Sequence, residues 1–244
     1  MNPTRTSTVR PLPAYETAPV DVSYLSSPHL VINPHENVFS WKYTYVKRGI
    51  DLVGAALLVA LTIVPGLLIA AAIVLTSRGP VFYREERLGR NGVLFRIWKF
   101  RTMFLNSDEI PVRTGIHVSG QSALSLRFRK DPRDPRITRV GRFLRQWSLD
   151  ELPQILNILA GDMSMVGPRP IIQAEAPKYA ERLRFYLAAT PGLSGLWQVS
   201  GRCMIDYNER ARMDMTYVRR WTLMIDLGIL LRTVPAVLGR VGAW

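Results

Sequence analysis

The sequence predicts an α+β fold in which a re-entrant membrane helix, a short β-hairpin and several amphipathic interfacial helices surround a cytosol-facing site. Three observations predict it. The segment from Leu52 to Thr76 carries no charged residue. The segment from Gly79 to Met103 alternates apolar and polar residues around a Gly89–Gly92 turn, as hairpins do. Beyond it, apolar residues recur at helical spacing among many basic ones, which is typical of helices that lie on a membrane surface.

The composition indicates anionic partners and a membrane. The 244 residues include 32 Lys and Arg against 19 Asp and Glu, which gives a formal charge of +13 and a pI near 10.4. That balance favours nucleic acid, an anionic membrane face or phosphorylated metabolites as partners. Because 48% of the residues are hydrophobic, we expect a membrane protein and no nucleic acid. The single Cys203 excludes an internal disulfide, and no Cys/His cluster indicates zinc, so we expect a reducing, cytosolic environment.

Residues 1–40 are predicted to be a disordered N-terminal tail, because prolines interrupt them throughout and no periodic pattern survives. They lack the apolar core of a signal peptide.

Residues 41–78 form the predicted membrane region. As a straight helix, Leu52–Thr76 would measure roughly 37 Å, enough to cross a bilayer. Pro65 at its middle should bend or break the helix. Basic residues also flank both ends, which favours the cytoplasmic side for both. A helix that turns at Pro65 and returns to the same leaflet satisfies both observations; the pattern alone leaves a plain transmembrane span equally open.

The second strand of the predicted hairpin carries two cations. Lys99 and Arg101 fall at positions i and i+2, so both should face the same side of the strand. That side is either a solvated basic face or a phosphate site.

Several helices are expected after the hairpin. A basic amphipathic helix should begin after Thr138, in a segment where Arg or Lys recurs at every third position. Residues 171–189 indicate a second amphipathic helix, and Leu223–Leu238 a third, embedded at the membrane interface and anchored by Trp221 and arginines. Between them, the glycine-rich segment Thr190–Arg202 suggests a tight loop where backbone approaches a ligand or the membrane.

Adjacent carboxylates, Asp150 and Glu151, stand at the predicted start of a helix, with Arg145 before them and Arg169 after. Ser148 and Glu151 fit the S-x-x-E spacing of a capping box, and helix capping alone is common enough to explain both acids. The flanking arginines, and a further acid in the Gly-Asp turn that follows the helix, favour a functional alternative. An ionised Asp can attack phosphorus to form an aspartyl-phosphate, and arginines bind phosphate oxygens through paired donors.

Six motifs, in order, resemble those of the bacterial sugar transferases, the monotopic polyprenyl-phosphate phosphoglycosyl transferase family. The resemblance runs from about Tyr45 to Arg240. The motifs are KRGIDL (Lys47–Leu52), GPVFYREERLG (Gly79–Gly89), WKFRTM (Trp98–Met103), SLDELPQILNIL (Ser148–Leu159), GDMSMVGPRP (Gly161–Pro170) and PGLSGLWQVSGR (Pro191–Arg202). The chain looks like the compact type that initiates exopolysaccharide assembly, and members with an N-terminal multispan domain are a poorer match.

The resemblance implies an enzyme. Such proteins move a hexose-1-phosphate from a UDP-sugar to undecaprenyl phosphate, which leaves UMP and undecaprenyl-diphosphate-sugar. This is the first membrane step of exopolysaccharide biosynthesis. The resemblance also implies a bacterial inner (cytoplasmic) membrane, with the active site on its cytoplasmic face and residues 79–244 as a catalytic domain with interfacial helices. It leaves the sugar and a homo-oligomeric state open.

The resemblance implies roles for single residues as well. The family's acidic pair matches Asp150, as nucleophile and Mg²⁺ ligand, and Glu151, as its catalytic partner. Positions that bind substrate phosphate in the family match Lys99, Arg145 and Arg169, and a further active-site acid matches Asp214, which is also expected to bind substrate.

The chain departs from the family pattern at two positions. The family often has Ser before the membrane proline, where this chain has Val64, so Pro65 must act alone or with Thr62. A basic residue is also common where this chain has Thr190, so one phosphate or membrane contact is expected to be missing.

Overall fold

The computed structural model describes residues 37–105, 134–201 and 205–239. The description begins with a 3₁₀ turn, Asn37–Phe39, and a π-helix, Lys42–Lys47. Val38 is fully buried, and the Asn37 amide donates a hydrogen bond to the backbone carbonyl of Trp221 at 3.0 Å. The last residues that we assigned to the tail are therefore part of the folded protein, and the rest of the predicted tail lies outside the described residues.

The predicted membrane helix, α1, spans Arg48–Thr76 and continues from the π-helix. It runs through Pro65 without interruption, so the proline does not break it. The Thr62 hydroxyl donates to the carbonyl of Leu58 one turn earlier, a contact that tends to bend helices slightly. Together with the preceding turn, this is the one helix of the described residues that is long and apolar enough to cross a membrane.

One face of α1 packs on the rest of the protein along most of its length. Ala55, Leu58 and Val59 contact the core around Ile97 and Ile158, and Ile69 and Ile73 contact the core around Phe100 and Leu144. The opposite face is exposed, with Leu57, Leu61 and Leu68 at 67%, 73% and 67% exposure. A helix with one face packed and a wholly apolar face exposed is typical of a protein with a membrane as its second partner.

Polar contacts fix both ends of α1 to the same folded body. At the start, Lys47 Nζ pairs with the buried carboxylate of Asp226 at 2.6 Å, and the Arg48 guanidinium binds the last carbonyls of a later helix. At the end, the buried Arg101 guanidinium donates to the carbonyls of Ser77 and Arg78, both at 2.8 Å. Cations on carbonyls at a helix C-terminus are favourable because they meet the negative end of the helix dipole.

The predicted hairpin is confirmed. Strands β1 (Phe82–Leu88) and β2 (Leu94–Phe100) pair antiparallel around the turn, with Tyr83 opposite Lys99 and Glu85 opposite Ile97. A second, parallel pair, β3 (Ser164–Val166) and β4 (Gly192–Ser194), was not predicted.

The helix after Thr138 is also confirmed. Helix α2 spans Arg139–Gln146, and the Thr138 hydroxyl caps it by accepting from the Gly141 N–H at 2.8 Å. The chain continues through a 3₁₀ helix, Leu149–Gln154, into α3, Ile155–Ala160.

The long amphipathic helix predicted for residues 171–189 is wrong. Instead, 3₁₀ turns cover Gln173–Arg182 and a short helix, α4, covers Leu183–Ala188. Pro177 lies within the turns, and Ala180 adopts φ 47° and ψ −133°, which an α-helix does not allow.

The last described helices are α5 (Leu196–Ser200), α6 (Tyr207–Arg220) and α7 (Leu223–Leu238). Helix α7 presents an exposed apolar stripe at helical spacing, formed by Met224, Leu227, Leu231, Val234 and Leu238.

Trp221 is not the membrane anchor that we expected. It is buried against the edge of the Tyr43 ring, with ring centroids 4.8 Å apart, and its indole N–H donates to Asp226 at 3.0 Å. The indole needs a hydrogen-bond acceptor once it is buried, and Asp226 one turn into α7 supplies it.

Asp226 therefore joins three elements, because it accepts from Lys47, Trp221 and the Tyr217 hydroxyl. We expect Asp226→Asn to lower the free energy of unfolding by about 3 kcal/mol, since it removes the direct ion-pair partner of the buried Lys47. Thermal unfolding of detergent-purified protein measures the loss. Glu209→Gln breaks the exposed pair with Arg212 and should leave the melting temperature unchanged; equal melting temperatures for the Asp226 variant and the unsubstituted protein would contradict the assignment.

Candidate active site

The two adjacent carboxylates lie in the 3₁₀ helix Leu149–Gln154, directly after a sharp turn at Ser148. Ser148 has φ 56°, a left-handed conformation, and its side chain makes no capping hydrogen bond. The predicted capping box is therefore wrong. The left-handed backbone of Ser148 instead turns the chain after α2. Arg145, which lies in the last turn of α2, is thereby brought close to the two carboxylates of the 3₁₀ helix.

Glu151 pairs with Arg169. Nη2 of Arg169 lies 2.7 Å from Oε1 of Glu151, and both side chains are only partly exposed. The Glu151 charge raises the pKa of Arg169, to which Asp150 and Glu175 add. Glu151 serves this ion pair and not the cap that its spacing suggested.

Asp150 lies between this pair and other cations. Burial, followed by the like charge of Glu151, raises the pKa of Asp150 to about 6, while Lys99 and Arg145 act in the opposite direction. At neutral pH the group is thus ionised but more basic than an ordinary Asp. A carboxylate in this state is a stronger nucleophile than a fully solvated one.

The hairpin supplies Lys99. Burial lowers the pKa of Lys99 while the Glu151 charge raises it, and Nζ lies 3.7 Å from a carboxylate oxygen of Glu85. Arg101 does not join this group, although we placed both residues on one side of the strand. The strand ends at Phe100, and Arg101 turns towards the end of α1.

A side-chain clamp holds the hairpin against α3. The Asn157 amide accepts from the Trp98 N–H at 3.0 Å and donates to the Arg96 carbonyl at 2.8 Å, so it pairs with the edge of β2 as a neighbouring strand would. The contact joins the strand that carries Lys99 to α3, which directly follows the 3₁₀ helix that carries Asp150.

Arg145 completes the cationic surroundings. Its Nε donates to the hydroxyl of Thr102 at 3.0 Å, which fixes the side chain near the end of the hairpin. Burial lowers the pKa of Arg145, and the negative charge of Asp150 is the largest effect that raises it.

No described hydrogen bond or ion pair joins Asp214 to the carboxylate pair. Among the described contacts, its partner is the Tyr179 hydroxyl, at 2.8 Å, in a buried group with Tyr186 and Tyr207. Burial raises the pKa of Asp214 to about 7. Asp162 also lies apart, at the far end of α3, where it accepts from Asn157 at 3.3 Å.

The sequence did not single out Glu85 and Arg87. The Arg87 guanidinium binds Glu85, Arg87 also contributes to the electrostatic field at Lys99, and Glu85 contacts Lys99 directly. Their i, i+2 spacing on β1, opposite the Lys99 strand, is the signal that could have found them.

Two glycines of Thr190–Arg202, Gly192 and Gly195, lie against the backbone of Gly167. A Cβ at Gly192 would lie 2.0 Å from the Gly167 nitrogen, and one at Gly167 would lie 2.3 Å from the Thr190 carbonyl oxygen. Only glycine lets β3 and β4 pair this closely.

The described residues contain no group of three or more Asp, Glu, His or Cys side chains that could enclose a metal ion. What they contain is one carboxylate with a raised pKa, Asp150, beside two cations, Lys99 and Arg145, and the Glu151–Arg169 ion pair. Cations so arranged are suited to bind the oxygens of a phosphate or diphosphate. Together with a helix that is long and apolar enough to cross a membrane, this arrangement indicates a protein that handles phosphate esters near a membrane.

Comparison with known proteins gives the family. The family description "Bacterial sugar transferase" matches residues 42–240, and the chain belongs to that family. It is 40% identical over 239 residues to the undecaprenyl-phosphate galactose phosphotransferase of Salmonella typhimurium, covering 96% of this chain and 49% of the relative. It is 43% identical over 192 residues to the exopolysaccharide production protein ExoY of Rhizobium meliloti, covering 78% of this chain and 84% of the relative.

A third relative names a donor sugar. The UDP-glucose:undecaprenyl-phosphate glucose-1-phosphate transferase of Caulobacter vibrioides is 44% identical over 200 residues, which cover 79% of this chain and 69% of the relative. The chain spans about half the length of several of the curated relatives that it matches.

Proposed function

We propose that this protein transfers a hexose-1-phosphate from a UDP-sugar to undecaprenyl phosphate, with release of UMP, as the first membrane step of exopolysaccharide biosynthesis. The observation that carries the proposal is the Asp150 carboxylate, whose pKa is raised to about 6 among Lys99, Arg145 and the Glu151–Arg169 pair. The printed names of the relatives supply the two substrate classes, undecaprenyl phosphate and a UDP-sugar.

The reaction proceeds in two displacements at one phosphorus atom. An Asp150 oxygen attacks the sugar-bearing phosphorus, the bond to the bridging oxygen breaks, and UMP leaves with the electron pair. The protein then carries a phosphosugar on Asp150. A phosphate oxygen of undecaprenyl phosphate attacks the same phosphorus and displaces the Asp150 carboxylate, which gives undecaprenyl-diphosphate-sugar and the free enzyme.

The surrounding side chains make attack of an anion on an anion feasible. Lys99, Arg145 and Arg169 offset the charge of the diphosphate and stabilise the charge that accumulates on its oxygens. Glu151 orients Arg169 and keeps Asp150 basic. It is also the group placed to take a proton from the lipid phosphate as that phosphate becomes the nucleophile.

The site fits a magnesium ion only when substrate is bound. Within residues 37–105, 134–201 and 205–239, Glu151 forms a salt bridge and Asp150 forms none, and Mg²⁺ commonly takes one or two protein carboxylates with phosphate oxygens and water. Asp150 and the diphosphate would hold the ion, which would supply further charge neutralisation at the reacting phosphate.

We also propose a monotopic placement on the cytoplasmic face of the bacterial inner membrane. The contacts of Lys47 with Asp226 and of Arg101 with Ser77 and Arg78 support it, because they hold both ends of α1 to one body. A single crossing would carry the Arg101 contact, and the hairpin with it, to the opposite side. The exposed stripe of α7 adds a second apolar surface for the same leaflet.

Asp150→Asn should abolish the transfer. Removing the nucleophile should reduce UMP release by at least about a thousandfold while membrane binding and the melting temperature stay unchanged. When the unsubstituted protein is incubated with sugar-labelled UDP-sugar and no lipid acceptor, Asp150 should carry the label, and peptide mapping locates it. Asp162→Asn, an acid outside the site, is the matched control and should retain activity. Product formation with no adduct under rapid quench would favour direct transfer.

The rate of the first displacement should fall as the pH falls below about 6, since the carboxylate protonates there. Below the pKa of Asp150 the ionised fraction drops about tenfold per pH unit. Glu151→Gln removes a like charge, so it should lower the pKa of Asp150 and move this limb to lower pH. Single-turnover UMP release without acceptor measures the profile. Glu86 is exposed on the other face of the hairpin, so Glu86→Gln should leave the pH dependence of UMP release unchanged. If the fall in rate at low pH occurred at the same pH in the Glu151→Gln variant, Asp150 would not be the group that titrates.

Placement can be tested by cysteine labelling. In a Cys203→Ser background, Tyr45→Cys and Pro80→Cys put thiols at exposed positions near the two ends of α1. Both should react with an impermeant maleimide in vesicles that expose the cytoplasmic face, and neither in vesicles of the opposite orientation. Reaction from opposite sides would establish a transmembrane span.

A further inference from the structure

A polar cavity of about 180 Å³ lies at the start of the membrane helix, away from the carboxylate pair. Its walls come from the π-helix and first turn of α1, from Arg90 at the tip of the hairpin, from the loop that follows α3, and from Thr190. The carboxylate helix begins at Leu149 and α3 ends at Ala160, so the cavity and Asp150 lie at opposite ends of this pair of helices. At 1.5 Å per residue they are separated by about 15 Å.

Most charged groups in the wall are already engaged. Lys47 pairs with Asp226, the Arg48 guanidinium binds the carbonyls of Ile158 and Leu159, and the Asp51 carboxylate accepts from Ser164 and from the backbone N–H of Met165. These contacts fix the wall and leave its shape independent of a ligand.

Arg90 is the exception. Its guanidinium lies over the Tyr43 ring, with Cζ 5.5 Å from the ring centroid, and its Nε is buried without a hydrogen-bond acceptor among the described residues. A buried donor of a charged group is costly to leave unsatisfied. The Arg90 side chain lines a cavity that is large enough for a phosphate group and has a net positive wall.

The cavity lies at the level where lipid headgroups would meet the protein. Trp41 and Tyr45 beside it are 64% and 73% exposed, and the exposed apolar face of α1 begins at Ile50 and Leu52. Exposed Trp and Tyr next to an apolar helix are typical of the membrane–water interface.

We propose that this cavity binds the phosphate of an anionic phospholipid headgroup, with Arg90 as the principal donor. The shared chemistry is a phosphate anion, and the position at the start of α1 assigns it to lipid and not to free phosphate. The inference rests on the membrane placement proposed above but not on the transfer reaction. A lipid held here would fix the depth of α1 from its charged end.

The test uses the full-length chain purified in detergent and titrated by calorimetry. The probes are dioctanoyl-phosphatidylglycerol, dioctanoylglycerol, which has the same chains but no phosphate, and inorganic phosphate. We expect one saturable site for the phosphatidylglycerol, weaker binding of inorganic phosphate and no binding of dioctanoylglycerol. Arg90→Gln should weaken phosphatidylglycerol binding by about tenfold or more, the usual effect of losing a charged hydrogen bond to phosphate.

Arg96→Gln is the matched control, since it removes the same charge from an exposed position of the same hairpin, where Arg96 pairs with Glu86. Its affinity should equal that of the unsubstituted chain. Thr44→Glu, at an exposed position in the cavity wall, puts a negative charge there and should reproduce the loss even if the Arg90 variant fails to fold.

Equal affinities for Arg90→Gln and the unsubstituted chain would overturn the proposal, and so would an equal loss in Arg96→Gln, which would indicate bulk charge alone. Inorganic phosphate binding as tightly as the lipid would overturn the lipid assignment. UMP release is measured in parallel and should not change in Arg90→Gln. If the unsubstituted chain released no UMP, the proposed function would fail, while the lipid titration would still decide this inference.

Discussion

Two adjacent carboxylates cannot both be ionised in a partly buried site unless cations offset their repulsion, and the architecture around Asp150 and Glu151 follows from this constraint. Arg169 takes Glu151 in a direct ion pair, which leaves Asp150 as the carboxylate with a raised pKa. Lys99 and Arg145 approach from the hairpin and from α2. Three separate parts of the chain therefore have to converge on one turn of 3₁₀ helix.

Charged side chains also fix the position of α1. In the proposed membrane placement, apolar side chains are surrounded by lipid that is equally apolar, so the polar groups at the ends of α1 fix its position together with its packed face. Lys47, Arg48 and Arg101 supply those groups, and each of them binds a carboxylate or carbonyls of the body that carries the site. Ion pairs and hydrogen bonds at both ends of α1 thus hold its exposed apolar surface to the body that carries the site.

The sequence predicted the correct element wherever its hydrophobic periodicity and its local capping or turn residues agree. The hairpin, the Thr138-capped helix and the apolar run of α1 are all determined by patterns within a few residues. Motif order indicated that Lys99, Arg145 and Arg169 act together with Asp150 and Glu151, and the structure brings these residues together. Glu85 and Arg87 escaped notice because their contribution depends on strand register, which fixes them opposite the Lys99 strand.

Failures came where tertiary contacts override local preference. Ser148 fits a capping box, yet the turn needed to bring Arg145 to Asp150 puts it in a left-handed conformation. Trp221 looks like an interfacial anchor, but Asp226 five residues later draws its indole N–H inwards. Arg101 shares the alternation of Lys99, but the strand ends between them. Each of these outcomes depends on how the surrounding elements pack, which the local sequence pattern does not reveal.

The Asn157 clamp has a mechanical consequence. Because its amide bonds the backbone of β2 on both sides of Ile97, the hairpin cannot slide along α3 without breaking two hydrogen bonds at once. The strand that carries Lys99 and the helices that carry Asp150 are therefore stiff towards each other. In the proposed reaction, the adjustment that admits first a nucleotide-sugar and then a lipid phosphate would therefore come from the incoming molecules or from the surrounding loops, while the reacting centre keeps its shape.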